Sequence, residues 1–115
     1  MTLTIEHRGD VDVVRLPDRV MLANAPAVRS ELLKHVESGA QRIILDLSEL
    51  EFADSSGLSA VLACVNAARR SGGDVVLAAP SARVRALIEL TRLDEVVTVL
   101  KSVHDGIAHL SSRAA

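Results

Sequence analysis

The residues best placed for chemistry in this chain are Glu51-Phe52-Ala53-Asp54-Ser55-Ser56-Gly57-Leu58. Two hydroxyls follow a carboxylate and precede a glycine. Such a set suits a nucleophilic serine, an acidic cation site, or simply the cap of a helix. A nucleophile needs a base, and the four histidines, His7, His35, His104 and His109, are scattered along the chain. The G-x-S-x-G pattern of a nucleophile elbow is absent. No histidine stands at metal-ligand spacing from Cys64 or an acid, and all four read as solvated or rim residues. Asp46, Glu49, Glu51 and Asp54 suit a divalent ion or, equally, solvated loops. Cys64 reads as a small buried side chain with no base to form its thiolate. Neither G-x-x-x-x-G-K-[ST] nor G-x-G-x-x-G occurs. Arg69-Arg70-Ser71 matches a basophilic kinase site but reads better as an ordinary helix ending. No catalytic, cofactor-binding or metal-binding set is therefore expected.

The elements that must position this stretch follow from periodicity. Leu3-Thr4-Ile5-Glu6-His7 and Val11-Asp12-Val13-Val14-Arg15-Leu16 alternate like half-exposed strands, with Arg8-Gly9-Asp10 as the turn between them. Val20-Met21-Leu22 reads as a short third strand. A helix is predicted from Ala25 to Glu37, capped by Asn24, with Val28, Leu32, Leu33 and Val36 inward and Arg29, Glu31 and Lys34 in water. Ile43 to Leu47 is apolar at nearly every position, as in a strand covered on both faces. Ser55 or Ser56 is expected to cap the next helix, which buries Leu58, Val61, Leu62 and Val65 and stops at Gly72-Gly73. Asp74 to Ala79 is a further buried strand. Ser81 caps a helix with Val84, Leu87, Ile88 and Thr91 inward. Val96 to Val99 reads as a short strand, Ser102 to Ser112 as a last helix, and Arg113-Ala114-Ala115 as a fraying tail.

Composition limits the partners. The 115 residues fit one domain, 1–115, able to bury a core without metals or disulfides. Aromatics are 1% of the chain, which removes the stacking platforms that single-stranded nucleic acid uses. A net charge of −2 with mixed signs provides no basic patch for nucleic acid or anionic membrane. One cysteine, no signal-like N-terminus and no long apolar run predict a soluble cytoplasmic protein without membrane insertion.

The run Ile43-Ile44-Leu45-Asp46-Leu47-Ser48-Glu49-Leu50-Glu51-Phe52-Ala53-Asp54-Ser55-Ser56-Gly57-Leu58 resembles the signature of STAS domains, above all the stand-alone bacterial anti-sigma factor antagonists, or anti-anti-sigma factors. Gly73-Asp74-Val75-Val76-Leu77, Val84-Arg85-Ala86-Leu87 and Leu93-Asp94-Glu95-Val96-Val97 fit as well, so the resemblance covers about the whole chain. It implies an α/β STAS fold: a mixed β-sheet with the N-terminal hairpin at one edge, flanked by about four helices lying mainly on one side. It implies a phosphoprotein switch in signal transduction and transcription regulation, not an enzyme. In such proteins the serine after the aspartate, here Ser55, is phosphorylated by an anti-sigma factor that is itself a serine kinase; Ser56 is the rival. The unphosphorylated form binds the anti-sigma factor and frees a sigma factor, and a dedicated phosphatase resets the cycle. By this resemblance the partner surface comprises Asp54, Ser55, Ser56, Gly57 and Leu58, with Ser59, Ala63 and Asn66 on the flank of the helix. The alternative is a STAS interaction subunit of a transport or stress-signalling complex without a kinase cycle. Two positions depart from the family pattern: Met21 stands where many antagonists carry an acid, and Arg92 where glycine is common.

Overall fold

The computed structural model describes residues 3–111. The expectations for the tail and for the end of the last helix at Ser112 lie outside the described residues. Strands β1 (Thr4–Arg8) and β2 (Val11–Arg15) pair antiparallel, with Arg8 opposite Val11. The turn between them is closed by Gly9, whose φ of +66° lies in the left-handed region that glycine tolerates. β2 then pairs parallel with β4 (Arg42–Asp46), β4 with β6 (Asp74–Ala78), and β6 with β7 (Val99–Leu100), giving the order β1-β2-β4-β6-β7.

Registry sorts the apolar side chains onto two faces. Val14, Leu45 and Leu77 lie side by side on one face, packed with α1 (Ala25–Glu37), α2 (Ser55–Arg70) and α3 (Ala82–Leu90). Val13, Ile44 and Val76 lie on the other, under Val103, Ile107 and Leu110 of α4 (Val103–Ser111). The continuous apolar run of β4 is thus explained: it is the central strand and is covered on both sides. Each such Val, Leu or Ile stabilises the fold by about 1.5–3 kcal/mol relative to exposure. The mixed sheet, the edge hairpin and the four helices agree with the expected fold.

Several local expectations need correction. The short third strand is Arg19–Val20 (β3), and it does not join the main sheet. It pairs parallel with Phe52–Ala53 (β5), Arg19 opposite Phe52 and Val20 opposite Ala53. α2 buries Gly57, Ala60, Val61, Cys64, Val65 and Ala68, whereas Leu58 and Leu62 are only half-buried at its flank. A reading by hydrophobicity favours leucines, but the buried face combines Val61 and Val65 with small residues, of which Gly57 lies against the Val20 backbone. Val96 is exposed. The segment before β7 is a 3-10 turn at Leu93–Glu95, so the last strand starts only at Val99. Thr91 is exposed at the end of α3 and its hydroxyl bonds back to the Leu87 and Ile88 carbonyls at 2.9 and 3.1 Å. Arg92 then takes a left-handed conformation, φ +59°, the geometry for which glycine is favoured at a helix end.

Polar groups read as solvated are partly built in. Glu31 is half-buried and accepts the Leu3 amide at 2.8 Å. His35 is half-buried too, its Nε2 2.9 Å from one Asp12 oxygen, while His7 Nδ1 lies 2.5 Å from the other. Arg42 pairs with Asp10 beside the hairpin turn.

Candidate docking site at the start of α2

Asp54 follows β5 directly in extended conformation (φ −119°, ψ −171°) and is the residue that caps α2. One carboxylate oxygen accepts the Gly57 amide at 3.0 Å and the other accepts the Leu22 amide at 2.9 Å. Ser55 and Ser56, the expected caps, are instead the first two helical residues. The aspartate prevails because its two oxygens can serve the helix and a distant loop at once. That loop is braced from its own side by Asn24, whose side-chain oxygen accepts the Met21 amide at 2.9 Å and whose nitrogen donates to the Arg19 carbonyl at 2.7 Å. Asn24 therefore sits at the cap position of α1 without a side-chain capping bond.

The amides of Gly57 and then Leu22, both donating to the carboxylate, hold the Asp54 pKa below its ordinary 3.8. A depressed carboxylate contributes stability above the unfolded-state pKa and loses it as pH falls through the lower folded value. The advantage of the native chain over Asp54→Asn in urea-unfolding midpoint is expected to be full at about pH 6 and to shrink steadily below about pH 4. A constant difference down to about pH 2 would show that the ionised form is not what the two amides prefer.

The two serines face different ways. Ser55 is exposed and lines a groove of about 370 Å³ between α2 and α3, with Leu58, Leu62 and Leu87. Its hydroxyl makes no hydrogen bond among the described residues. Ser56 is half-buried and lines a groove of about 650 Å³ between α1 and α2. Gly57 is buried: a Cβ built there would lie 1.9 Å from the Val20 carbonyl oxygen. The close approach it permits is to β3. Ser59 and Asn66 are exposed on α2, while Leu58 and Ala63 are half-buried.

The acids near this end of the sheet do not converge. Asp46 is buried, 3.5 Å from Arg15 Nε, and accepts the Ser48 amide at 3.0 Å; Glu49 pairs with Arg15 at 3.2 Å. No group of three potential metal ligands exists among the described residues. Burial pushes the Cys64 thiol up to about 12, so it stays protonated at neutral pH. No helix among the described residues is long and apolar enough to cross a membrane.

A family model, STAS domain, matches residues 2–106. The chain belongs to the STAS-domain family. The protein BtrV of Bordetella bronchiseptica is similar, 30% identical over 102 residues, which are 89% of this chain and 88% of that one. The anti-sigma F factor antagonist of Paenibacillus polymyxa is 22% identical over 111 residues, 96% of this chain and 95% of its own. A crystal structure of an anti-sigma factor antagonist from Mycobacterium paratuberculosis shares the fold at a TM-score of 0.87 and 24% identity, covering 96% of this chain and 93% of that one.

Within this STAS domain, sequence reasoning missed Leu22 as the partner of Asp54. It also missed Phe52, whose ring lies 4.9 Å from the Arg19 guanidinium and 5.1 Å from that of Arg83. No spacing rule links residues 32 positions apart; only the pairing of β3 with β5 brings them together. Met21, where the family pattern has an acid, is half-buried and lines an apolar groove with Phe52, Leu87 and Leu90. The Ser55 side of the STAS domain therefore presents mainly apolar surface, with the carboxylates of Asp54 and the exposed Glu51 beside it.

Proposed function

We propose that this chain is an anti-sigma factor antagonist working as a phosphorylation-controlled protein-binding switch, a kinase substrate and not an enzyme. The observation that carries this reading is the exposed Ser55 hydroxyl, held at the first helical position by the Asp54 cap and free of any intramolecular bond among the described residues. A kinase can reach it without disturbing the core. A phosphate there adds about −1.5 to −2 charges at the positive end of a helix, where amides not bonded to helical carbonyls and the dipole tolerate it. The same charge, beside Asp54 and among Leu58, Leu62 and Leu87, opposes desolvation by a docked partner. The unphosphorylated form binds an anti-sigma factor that is also a serine kinase, releasing a sigma factor; the phosphorylated form dissociates, and a phosphatase restores it. Ser56, half-buried and turned toward α1, is the poorer acceptor. The contact surface extends from Ser55 along Leu58 and Ser59 to the flank at Ala63 and Asn66.

The test is to incubate the protein with its cognate kinase anti-sigma factors and ATP and to locate phosphate by mass spectrometry. Phosphate on Ser55 is expected. Phosphate confined to other residues, or none while each kinase modifies a control substrate, would overturn the switch in favour of a constitutive docking subunit.

A further inference from the structure

The α1–α2 groove has a charge pattern of its own. Its apolar surface is Leu22, Leu33 and Ala60, and Leu22 is 71% exposed. Arg29 and Lys34 line it, and through Arg29, Leu33 and Ser59 it runs on into a smaller depression also lined by Arg70. Arg29, Lys34 and Arg70 make no ion pair among the described residues. Elsewhere the described cations are mostly paired: Arg8, Arg15, Arg42, Arg69 and Arg92 with carboxylates, and Arg19 and Arg83 over Phe52. Among the described residues, Arg85 and Lys101 are unpaired as well. Three of these five unpartnered cations thus line one apolar trough in a chain of net charge −2. Glu37 is the single acid in its lining.

We infer that this groove docks an acidic amphipathic helix from a protein partner, with leucine-like residues seated between Leu22 and Leu33 and carboxylates meeting Arg29, Lys34 and Arg70. A helix fits because both walls are helices, whose backbone groups are internally bonded and offer no edge for an added strand. The 13 residues of α1 span about 20 Å, enough for three to four turns of a docked helix. Nucleic acid is disfavoured as the occupant, since the lone aromatic ring is held between two arginines away from this trough. Ser56 and Ser59 line this groove whereas Ser55 lines the one beyond α2 together with Ser59. The two surfaces meet on α2, where they share Ser59, Ala63 and Asn66, but Ser55 lines only the groove beyond α2, and the inference stands whether or not Ser55 is phosphorylated.

Two helix-stapled peptides with the same leucine face, one bearing glutamates and the other lysines elsewhere, are titrated against the full chain. The acidic peptide is expected to bind at least about tenfold tighter than the basic one, and to weaken as salt rises. The double variant Arg29→Glu/Arg70→Glu should weaken it at least about tenfold with unchanged circular dichroism, while Ser55→Asp changes it less than about twofold. The Ser55→Asp arm separates this groove from the phosphorylation switch. The inference is overturned by equal or tighter binding of the basic peptide, by no saturable binding of the acidic one up to about 1 mM, or by indifference to the double variant. Sedimentation of the chain alone completes the test: self-association abolished by Arg29→Glu would make a second copy the occupant and overturn it as well.

Discussion

Gly57→Ala is expected to destabilise the protein by about 3 kcal/mol or more and to lower its Tm by about 10 °C or more. The added methyl would sit 1.9 Å from the Val20 carbonyl oxygen and 2.9 Å from the carbonyl carbon, both backbone atoms that no side-chain rotation can clear. Either β3 separates from β5 or the first turn of α2 shifts, and in both cases the Asp54 bonds to Gly57 and Leu22 are lost. Helix propensity argues the other way, since alanine is favoured over glycine in a helix interior by about 1 kcal/mol. The overlap outweighs that gain because cores resist small-to-large changes where only backbone can yield. Thermal and urea unfolding decide between them: a raised Tm would mean that propensity governs this position and that the contact with Val20 is absent.

Ser55→Asp is expected to weaken binding of the cognate anti-sigma factor by about thirtyfold or more, equivalent to about 2 kcal/mol, while Ser55→Ala binds like the native chain. The charge must be desolvated against Leu58, Leu62 and Leu87 in the docked state, next to a carboxylate already committed to two amides. The fold should hardly notice, since an acid in the first turn of a helix interacts favourably with its dipole. Isothermal titration with melting curves run in parallel measures both effects. Equal affinity of the two folded variants would mean that charge at Ser55 does not control docking. The contrast with Gly57→Ala is informative: two small residues two positions apart, one buried and one exposed, separate the integrity of the site from its regulation.

Much of the fold could be read from periodicity. The edge hairpin, β4 with its apolar centre Ile43-Ile44-Leu45, the Ala25–Glu37 helix and the Ser81 cap of α3, which accepts the Val84 amide at 3.2 Å, all follow from local signals. Local signals failed where elements are too short to show a period. β3 and β5 each contain two residues, and nothing in either stretch marks it as half of a parallel pair. They failed in part on the buried face of α2, where Val61 and Val65 are buried as expected but Gly57, Ala60 and Ala68 take the places expected for Leu58 and Leu62. His35 and Glu31 read as solvated because their partners, Asp12 and the Leu3 amide, lie 23 and 28 positions away.

The sequence by itself determined that an Asp-Ser-Ser-Gly run sits where a buried strand leads to a helix, and it carried the family resemblance that the STAS match bears out. Both are local properties of order and spacing along the chain. Only the tertiary structure decided which residue does what within that run. Asp54 caps, because the β3–β5 pair delivers the Leu22 amide to its second oxygen. Gly57 is the buried spacer, because Val20 packs against it. Ser55 is left exposed, its hydroxyl without a hydrogen bond among the described residues, because Asp54 has already taken the capping role. The α1–α2 groove, too, exists only once Arg29 and Arg70 are brought onto one surface. Burial and hydrogen-bond partners over such separations are set by packing, and the linear pattern of residue types does not encode them.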